Sequence, residues 1–178
     1  MKINKSYKCR IYPNKKQEVF LANQFGGVRF IYNYFLNKRK EEYLNNKKSL
    51  NYFDNSKFLT TLKEEDDYKW LNELNSQSLQ QSLRDLEVAY QNFYRKTSAF
   101  PKFHSKKNKQ SFKIPQLFKV KKNKLHIPKL KSGIKIVCDQ SLPTKQFSCT
   151  ISKSSSGKYY ASLSCEEDIK PLKKIKKS

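Results

Sequence analysis

Acidic residues are scarce in the second half of this chain. Residues 95–178 hold four Asp or Glu against 22 Lys or Arg, a net charge of +18, whereas residues 1–94 hold 11 against 16, a net of +5. Positive charges at this density repel one another unless a polyanion neutralises them. Lys and Arg attract phosphates by releasing condensed counterions, whatever the base sequence. The asymmetry therefore predicts nucleic acid as the partner.

Long apolar runs are missing as well. No stretch approaches the roughly 18 apolar residues of a membrane span, and polar residues alternate with apolar ones over Met1–Arg10, which excludes a signal peptide there. Gly and Pro are few, at 4 and 6, while 12 Phe and 11 Tyr argue against a disordered basic tail. We expect a soluble cytoplasmic, nucleoid-associated protein without a membrane partner. Its oligomeric state is left open.

The four cysteines form no CxxC pair, which argues against zinc. Each lies in a stretch where polar and apolar residues alternate, and this favours small buried residues. They are Cys9, Cys138, Cys149 and Cys165.

Catalytic patterns are also lacking. His104 and His126 have no acidic neighbour in sequence, so we interpret them as phosphate-facing or structural. The carboxylates cluster at Glu41-Glu42 and Glu64–Asp67, as on solvated helix faces, and neither a glycine-rich phosphate loop nor a Ser/His/Asp arrangement occurs. We predict no enzymatic activity of this chain by itself, no cofactor and no metal site.

The first hundred residues predict helices behind one strand. Lys5–Tyr12 alternates as a strand, and Lys15–Gln24 and Val28–Leu44 are typical of two helices separated at Gly26-Gly27. This layout resembles a helix-turn-helix, but any two helices of a bundle can meet at a Gly turn.

Two further helices follow. Asn51–Leu62 predicts a helix capped by Asp54 or Ser56, and Asn75-Ser76 opens a longer one. An apolar stripe marks the latter, formed by Leu79, Leu83, Leu86, Tyr90 and Phe93.

After Phe100, polar and apolar residues alternate with a period of two residues, as in β-strands. Short strands are predicted at Ser111–Phe118, Lys124–Ile127, Ile134–Cys138, Phe147–Ser152 and Tyr159–Cys165. Such strands favour a small β-barrel that the amino-terminal strand could join. The predicted fold class is α+β, a β-barrel with an inserted helical bundle. The domains are 1–12 (first barrel strand), 13–98 (helices), 99–165 (remaining barrel) and 166–178, a basic linker or tail that includes Lys173–Lys177.

Aromatic and basic residues are interleaved just after the long helix. Phe100 and Phe103 could stack on unpaired bases, each stack contributing about 1–3 kcal/mol, or could pack the helices against the barrel. Residues 119–124 look like a hairpin turn whose lysines face solvent or phosphate. The lysines predicted to contact the nucleic-acid backbone are Lys102, Lys106, Lys107, Lys109, Lys121, Lys122 and Lys124.

A series of short motifs occurs in order along about 160 residues. They are YKCRIYP (7–13), GGVRFIYN (26–33), LTTLK (59–63), SQSLQQSLRDL (76–86), AYQNF (89–93), FPKF (100–103), QSFKIP (110–115) and ISKSSSGKYY (151–160). Together they resemble the amino-terminal part of the TnpB/OrfB insertion-sequence proteins. These were long labelled transposases and are understood as RNA-guided DNA endonucleases related to type V CRISPR effectors.

The resemblance implies a wedge β-barrel interrupted by a helical recognition domain with a helix-turn-helix-like start. It implies a structured guide RNA and double-stranded DNA as partners, with a short DNA motif read beside the target. The motif-reading positions would be Tyr52, Gln77 and Gln80. Gln can bridge adenine N6 and N7, which suits this role.

Members of that family continue into a RuvC-type nuclease with three catalytic carboxylates and a four-cysteine zinc site. The chain stops at Ser178, where the first nuclease strand would begin, so we expect a truncated binding portion without cleavage activity. It could act as an RNA-guided repressor or be an inert remnant of a broken gene. The alternative from a different class is a guide-independent DNA- or RNA-binding module that acts through charge.

Overall fold

A computed structural model describes residues 2–169 of the protein. The elements are β1 (Lys2–Tyr12), α1 (Lys15–Asn46), α2 (Tyr52–Leu62), a 3₁₀ helix (Asp66–Glu73), α3 (Ser76–Tyr94), β2 (Gln110–Ile114), β3 (Lys119–Lys121), β4 (Lys124–His126), β5 (Ile134–Val137), β6 (Gln146–Lys153) and β7 (Tyr159–Asp168). The predicted α+β class is confirmed. None of the described helices is long and apolar enough to cross a membrane.

The strands form one curled antiparallel sheet in the order β2-β6-β7-β1-β5-β4-β3. The amino-terminal strand does join the later strands, since β1 lies between β7 and β5. The sheet is a half-barrel rather than the barrel predicted, and β2 and β3 are its outer strands among the described residues. Closure is not needed to bury the apolar face, because Leu21 and Phe25 of α1 pack into the core that the sheet encloses.

Helix α1 corrects the predicted break at Gly26-Gly27. It runs without interruption from a capping box formed by Asn14 and Gln17. Its first half packs on the sheet, while Ile31 and Phe35 in its second half lie in the core of the helical block. One continuous helix therefore contributes to both cores.

The two glycines have a packing role instead. A Cβ atom added to Gly27 would overlap with the Cδ1 atom of Leu74, whereas one added to Gly26 would meet only the end of Arg29, at 3.9 Å. Gly27 therefore lets the segment before α3 approach α1 closely.

The helical block follows the predicted stripe closely. Leu79, Leu83, Leu86 and Tyr90 of α3 are buried, while Phe93 at its end is 36% exposed. The predicted cap of α2 was wrong. Asn51 is the N-cap, accepting hydrogen bonds from the backbone N–H groups of Phe53 and Asp54, and Asp54 completes the capping box.

Three strand predictions differ from the structure. Strand β2 ends at Ile114, and a separate β3 pairs with β4. Phe147 is 39% exposed because a register shift between Gln146 and Ser148 breaks the alternation of β6. Strand β7 continues to Asp168, opposite Lys2, and so passes the predicted start of the tail at residue 166. The predicted run Lys173–Lys177 lies outside the described residues.

The cysteines were predicted to be small buried residues, which holds for Cys149 and Cys165 as free thiols. Cys9 is buried too, but it forms a disulfide with Cys138, which is only half-buried. The pairing of β1 with β5 brings these two residues together, at the register Arg10 opposite Val137. Residues 129 positions apart give no such signal in the sequence.

Candidate nucleic-acid interface

A broad groove runs between α1, the segment before β2 and the turn that joins β6 to β7. We call it the basic groove, and its volume is about 980 Å³. Six cations line it: Lys8, Arg29, Lys106, Lys107, Lys109 and Lys153. No carboxylate is among the described residues that line it. A one-sign groove of this kind concentrates a positive field along its length and favours a phosphate backbone.

The structure brings three of the predicted lysines together here, namely Lys106, Lys107 and Lys109. It adds Lys8, Arg29 and Lys153, which the sequence analysis missed. Their positions in the sequence are far apart, on β1, α1 and β6. Lys8 and Lys153 come to lie beside the loop because β1 pairs with β7 and β7 pairs with β6.

Hydrogen bonds order residues 105–109, the segment directly before β2. We call this segment the lysine loop, because it carries Lys106, Lys107 and Lys109. The amide of Gln110 donates to the carbonyl oxygens of Lys106 at 2.9 Å and Asn108 at 2.8 Å. The same side chain accepts a bond of 2.7 Å from the Arg29 guanidinium, which ties the loop to α1. The hydroxyl of Ser105 donates to Asn108 at 2.6 Å. Because these bonds order the backbone of the loop, binding costs less backbone entropy.

Four serines also line the groove. Ser152, Ser154, Ser155 and Ser162 line it beside Tyr160. The ammonium group of Lys8 lies 4.5 Å from the centre of the Tyr160 ring, and this contact positions the charge. Serine hydroxyls and lysines are donors that proteins commonly use for phosphate and sugar oxygens.

The hairpin lysines lie on a separate surface. Strands β3 and β4 form the end of the sheet opposite to β2 and β6, so Lys121, Lys122 and Lys124 do not line the basic groove. The predicted hairpin is confirmed, with a two-residue turn in which Lys122 and Asn123 have φ angles of 50° and 57°. All three lysines are exposed.

The ring contacts described for Phe100 and Phe103 are with the helical block. Phe100 makes edge-to-face contacts with Tyr90 and Phe93 at the end of α3, at 5.5 and 5.2 Å between ring centres. Phe103 is 50% exposed, and the ammonium group of Lys40 lies 5.0 Å from its ring. Lys102, between them, is exposed and does not line the basic groove.

The structure joins two of the three predicted motif-reading residues. The Tyr52 hydroxyl donates to Oε1 of Gln80 at 3.1 Å, and Ser56 donates to the same oxygen at 3.1 Å. The guanidinium of Arg84, one turn further along α3, lies 4.5 Å from the Tyr52 ring centre. Gln77 is on the same helix, but its Oε1 atom is buried without a hydrogen-bond partner among the described residues.

Both histidines are exposed, and His104 is held by contacts within the fold. The His104 ring stacks on Tyr32 at 3.9 Å, and its backbone exchanges two hydrogen bonds of 2.8 Å with the Asn33 side chain. Partial burial lowers the pKa of His104. The negative charge of Asp85 raises that pKa, and the positive charge of Arg29 lowers it further. His126 lies on β4 in close contact with Gly133. Within residues 2–169, no group of three or more His, Cys, Asp or Glu side chains could hold a metal ion.

Comparison with known proteins agrees with the motifs. Residues 1–48 match the family model HTH_OrfB_IS605, described as a helix-turn-helix domain. In this chain, the same residues form β1 and the continuous helix α1, without a turn between two helices.

Three relatives extend the match. The chain is 31% identical over 173 residues to a protein of Streptomyces pristinaespiralis named as a putative RNA-guided DNA endonuclease, covering 95% of this chain and 43% of that protein. It is 31% identical over 171 residues to InsQ of Escherichia coli (strain K12), which carries the same name, covering 95% of this chain and 42% of InsQ. The virulence protein VsdF of Salmonella dublin is 33% identical over 111 residues, which are 57% of this chain and 93% of VsdF.

The chain thus spans less than half the length of the two endonuclease relatives, and the similarity extends over nearly all of it. The resemblance drawn from the motifs is confirmed, and the chain belongs to the TnpB/OrfB family of insertion-sequence proteins.

Proposed function

We propose that this chain binds nucleic acid and performs no cleavage by itself. The observation that carries the proposal is the basic groove, in which six cations and no carboxylate face one another among the described lining residues. A groove of this composition neutralises several phosphates at once, and the released counterions drive binding.

The partner in the groove is a structured guide RNA, in keeping with relatives named as RNA-guided endonucleases. Fixed lysines and serine hydroxyls suit the phosphate and 2′-hydroxyl groups of RNA. Tyr52, Gln77 and Gln80 read a short motif in double-stranded DNA. These residues belong to α2 and α3, whereas the cations of the groove come from α1, the loop and the sheet. RNA holding and DNA reading therefore use separate surfaces.

Reversal of the loop charges tests the groove. Lys106→Glu with Lys107→Glu should weaken RNA binding and lower the slope of log affinity against log salt by about two, one for each phosphate that the lysines no longer neutralise. Lys47→Glu with Lys48→Glu is the matched control, because these exposed neighbours lie at the end of α1 outside the groove. If both pairs weaken binding equally, total charge and not the groove holds the RNA.

Sequencing of the RNA that purifies with the chain from its own cells tests the guide. One dominant structured RNA supports a guide complex. A mixture of ribosomal and transfer RNA would favour the second candidate function, a guide-independent module that acts through its net charge of +23.

A further inference from the structure

A smaller cavity opens beside the basic groove. It lies between α1, α3, β2 and the loop before β2, and its volume is about 310 Å³. Arg29, Lys109 and Gln110 line both spaces, so the cavity and the groove share a wall. We call it the side cavity. Its size is at the lower end of the roughly 300–1,000 Å³ typical of small-molecule sites.

Flat rings form much of its lining. Phe25 and Phe112 meet edge to face at 5.3 Å, and Tyr32 and His104 stack with an angle of 9° between their planes. Aromatic side chains of this kind accept the faces and edges of unpaired bases with little dependence on base identity.

One polar group that lines the cavity is buried without a hydrogen-bond partner among the described residues. The Ser78 side chain is 1% exposed, yet its hydroxyl has no hydrogen-bond partner among the described residues. A buried hydroxyl without a partner is unfavourable, which points to a ligand that supplies one. Gln81 donates to Asp85 at 2.9 Å on the same side of the cavity, and this bond orients the carboxylate.

The charged groups of the cavity include one hydrogen-bond acceptor for a base. Arg29 and Lys109 lie where the cavity meets the groove, whereas Lys113 and Asp85 line the cavity but not the groove. The groove has only cations among its described lining residues and attracts the phosphates, and in the cavity an exocyclic amine can donate to the Asp85 carboxylate.

We propose that the side cavity holds a single unpaired base of the strand whose backbone lies in the basic groove. The base is cytosine or adenine, because both carry an exocyclic amine. The inference rests on the proposed function, since the groove must hold the strand for the base to enter.

The test compares a short single strand of deoxycytidines with an abasic strand of the same length. We expect the base-containing strand to bind about tenfold more tightly, as for one stacked and hydrogen-bonded base. Ser78→Leu, which fills the cavity, should remove this difference. Val88→Ala is the control, because that exposed side chain of α3 lies outside both the cavity and the groove, and the difference should persist in it.

Equal binding of both strands by the wild-type chain would overturn the inference and leave the proposed function intact. Failure of both strands to bind would also overturn the inference, whereas RNA binding by the groove is tested separately by Lys106→Glu with Lys107→Glu. Persistence of the difference in a folded Ser78→Leu variant would place the base elsewhere and also overturn the inference.

Asp85→Ala tests the site without placing a larger side chain in the cavity. Asp85 is exposed, so its replacement does not disturb the core. Loss of a carboxylate should strengthen or preserve binding of the abasic strand, yet it should reduce the preference for deoxycytidine over thymidine strands. An unchanged preference contradicts the assignment.

Competition by cytidine monophosphate tests whether a free nucleotide is the ligand. Weak competition supports a base within a strand, whereas saturable tight binding of the nucleotide without any strand overturns the inference.

Discussion

The hydroxyl of Tyr52 donates a hydrogen bond of 3.1 Å to Oε1 of Gln80 and joins the first turn of α2 to α3. Ser56 donates to the same oxygen. With its oxygen turned toward two hydroxyls, the Gln80 amide directs its NH₂ group the other way. Reading adenine with both ends of an amide uses the oxygen as well. If this pair reads DNA, the bond from either Tyr52 or Ser56 must be exchanged for a bond from the base.

We predict that Gln80→Ala weakens binding of the RNA-loaded chain to its short DNA motif by about 1–3 kcal/mol, the usual magnitude for one bidentate base contact. RNA binding should be unchanged, because Gln80 does not line the basic groove. Selection from a randomised duplex library, followed by binding measurements on the enriched motif, provides the measurement.

Gln91→Ala is the matched control, since Gln91 is exposed near the far end of the same helix and bonds to Glu87. Equal loss of RNA and DNA binding in Gln80→Ala would show that the residue supports the fold and does not read bases.

Substitution of the two adjacent glycines in α1 should change the free energy of unfolding in opposite directions. Gly26→Ala should stabilise the protein by about 0.5–1 kcal/mol, because Ala favours helix interiors and the added Cβ atom has room. Gly27→Ala should destabilise it by about 1–3 kcal/mol, because the Cβ atom overlaps with the Leu74 side chain. Urea denaturation followed by circular dichroism measures both. Similar effects of the two substitutions would mean that Leu74 moves aside freely.

These glycines also show where sequence reasoning failed. A Gly-Gly pair is compatible with a turn or with close packing, and only the neighbour, Leu74, decides between them. Local patterns did predict the buried stripe of α3, because a helix with one apolar face needs no knowledge of its partner. The exposed Phe147 was missed because a bulge changes the phase of alternation without a signal in the residues.

The candidate interface was predictable to a similar extent. Charge imbalance indicated the lysine loop, since neighbouring cations in a sequence remain neighbours in a fold. Lys8, Arg29 and Lys153 stand in ordinary helix and strand contexts, and they reach the groove only through long-range packing and strand pairing. The side cavity gave no sequence signal, because Ser78 and Asp85 look like any polar residues of an amphipathic helix.

Carboxylates at the end of β7 make stability depend on pH. Hydrogen bonds from Lys145 and Lys2 lower the pKa of Glu166, and those from Tyr7 and Lys5 lower that of Glu167. A folded-state pKa below the usual value of 4.5 means that the stabilisation is present above that value. It is then lost as the pH falls through the folded-state pKa.

Urea midpoints at pH 6 and at successively lower pH should therefore fall in the wild-type chain below about pH 4.5. Glu166→Gln with Glu167→Gln should reduce the fall, whereas Glu64→Gln, outside the sheet, should not. A double variant with an unchanged pH dependence would show that these ion pairs do not contribute.

Thiol labelling tests the cysteine arrangement. Burial raises the pKa of Cys149 to about 12, and it also raises that of Cys165. Both changes disfavour the reactive thiolate, and burial also keeps the reagent from both thiols. We predict no alkylation by iodoacetamide in the native, unreduced chain, two labelled cysteines after denaturation, and four after denaturation with reductant. Mass spectrometry counts the labels. Four labels without reductant would mean that Cys9 and Cys138 are not joined.

The β3–β4 hairpin gives a last prediction, which concerns a second candidate surface for nucleic acid. Lys121 and Lys122 are exposed at the opposite end of the sheet from the basic groove, so only an extended or folded partner can reach both surfaces. Lys121→Glu with Lys122→Glu should weaken binding of a long structured RNA and lower its salt slope by about two. A short single strand that fits the groove should bind as before. Lys47→Glu with Lys48→Glu makes the same change in charge away from both surfaces. If only the hairpin variant loses affinity, and only for the long RNA, the hairpin is a second binding surface. If both variants lose affinity equally, the loss reflects net charge and not the hairpin.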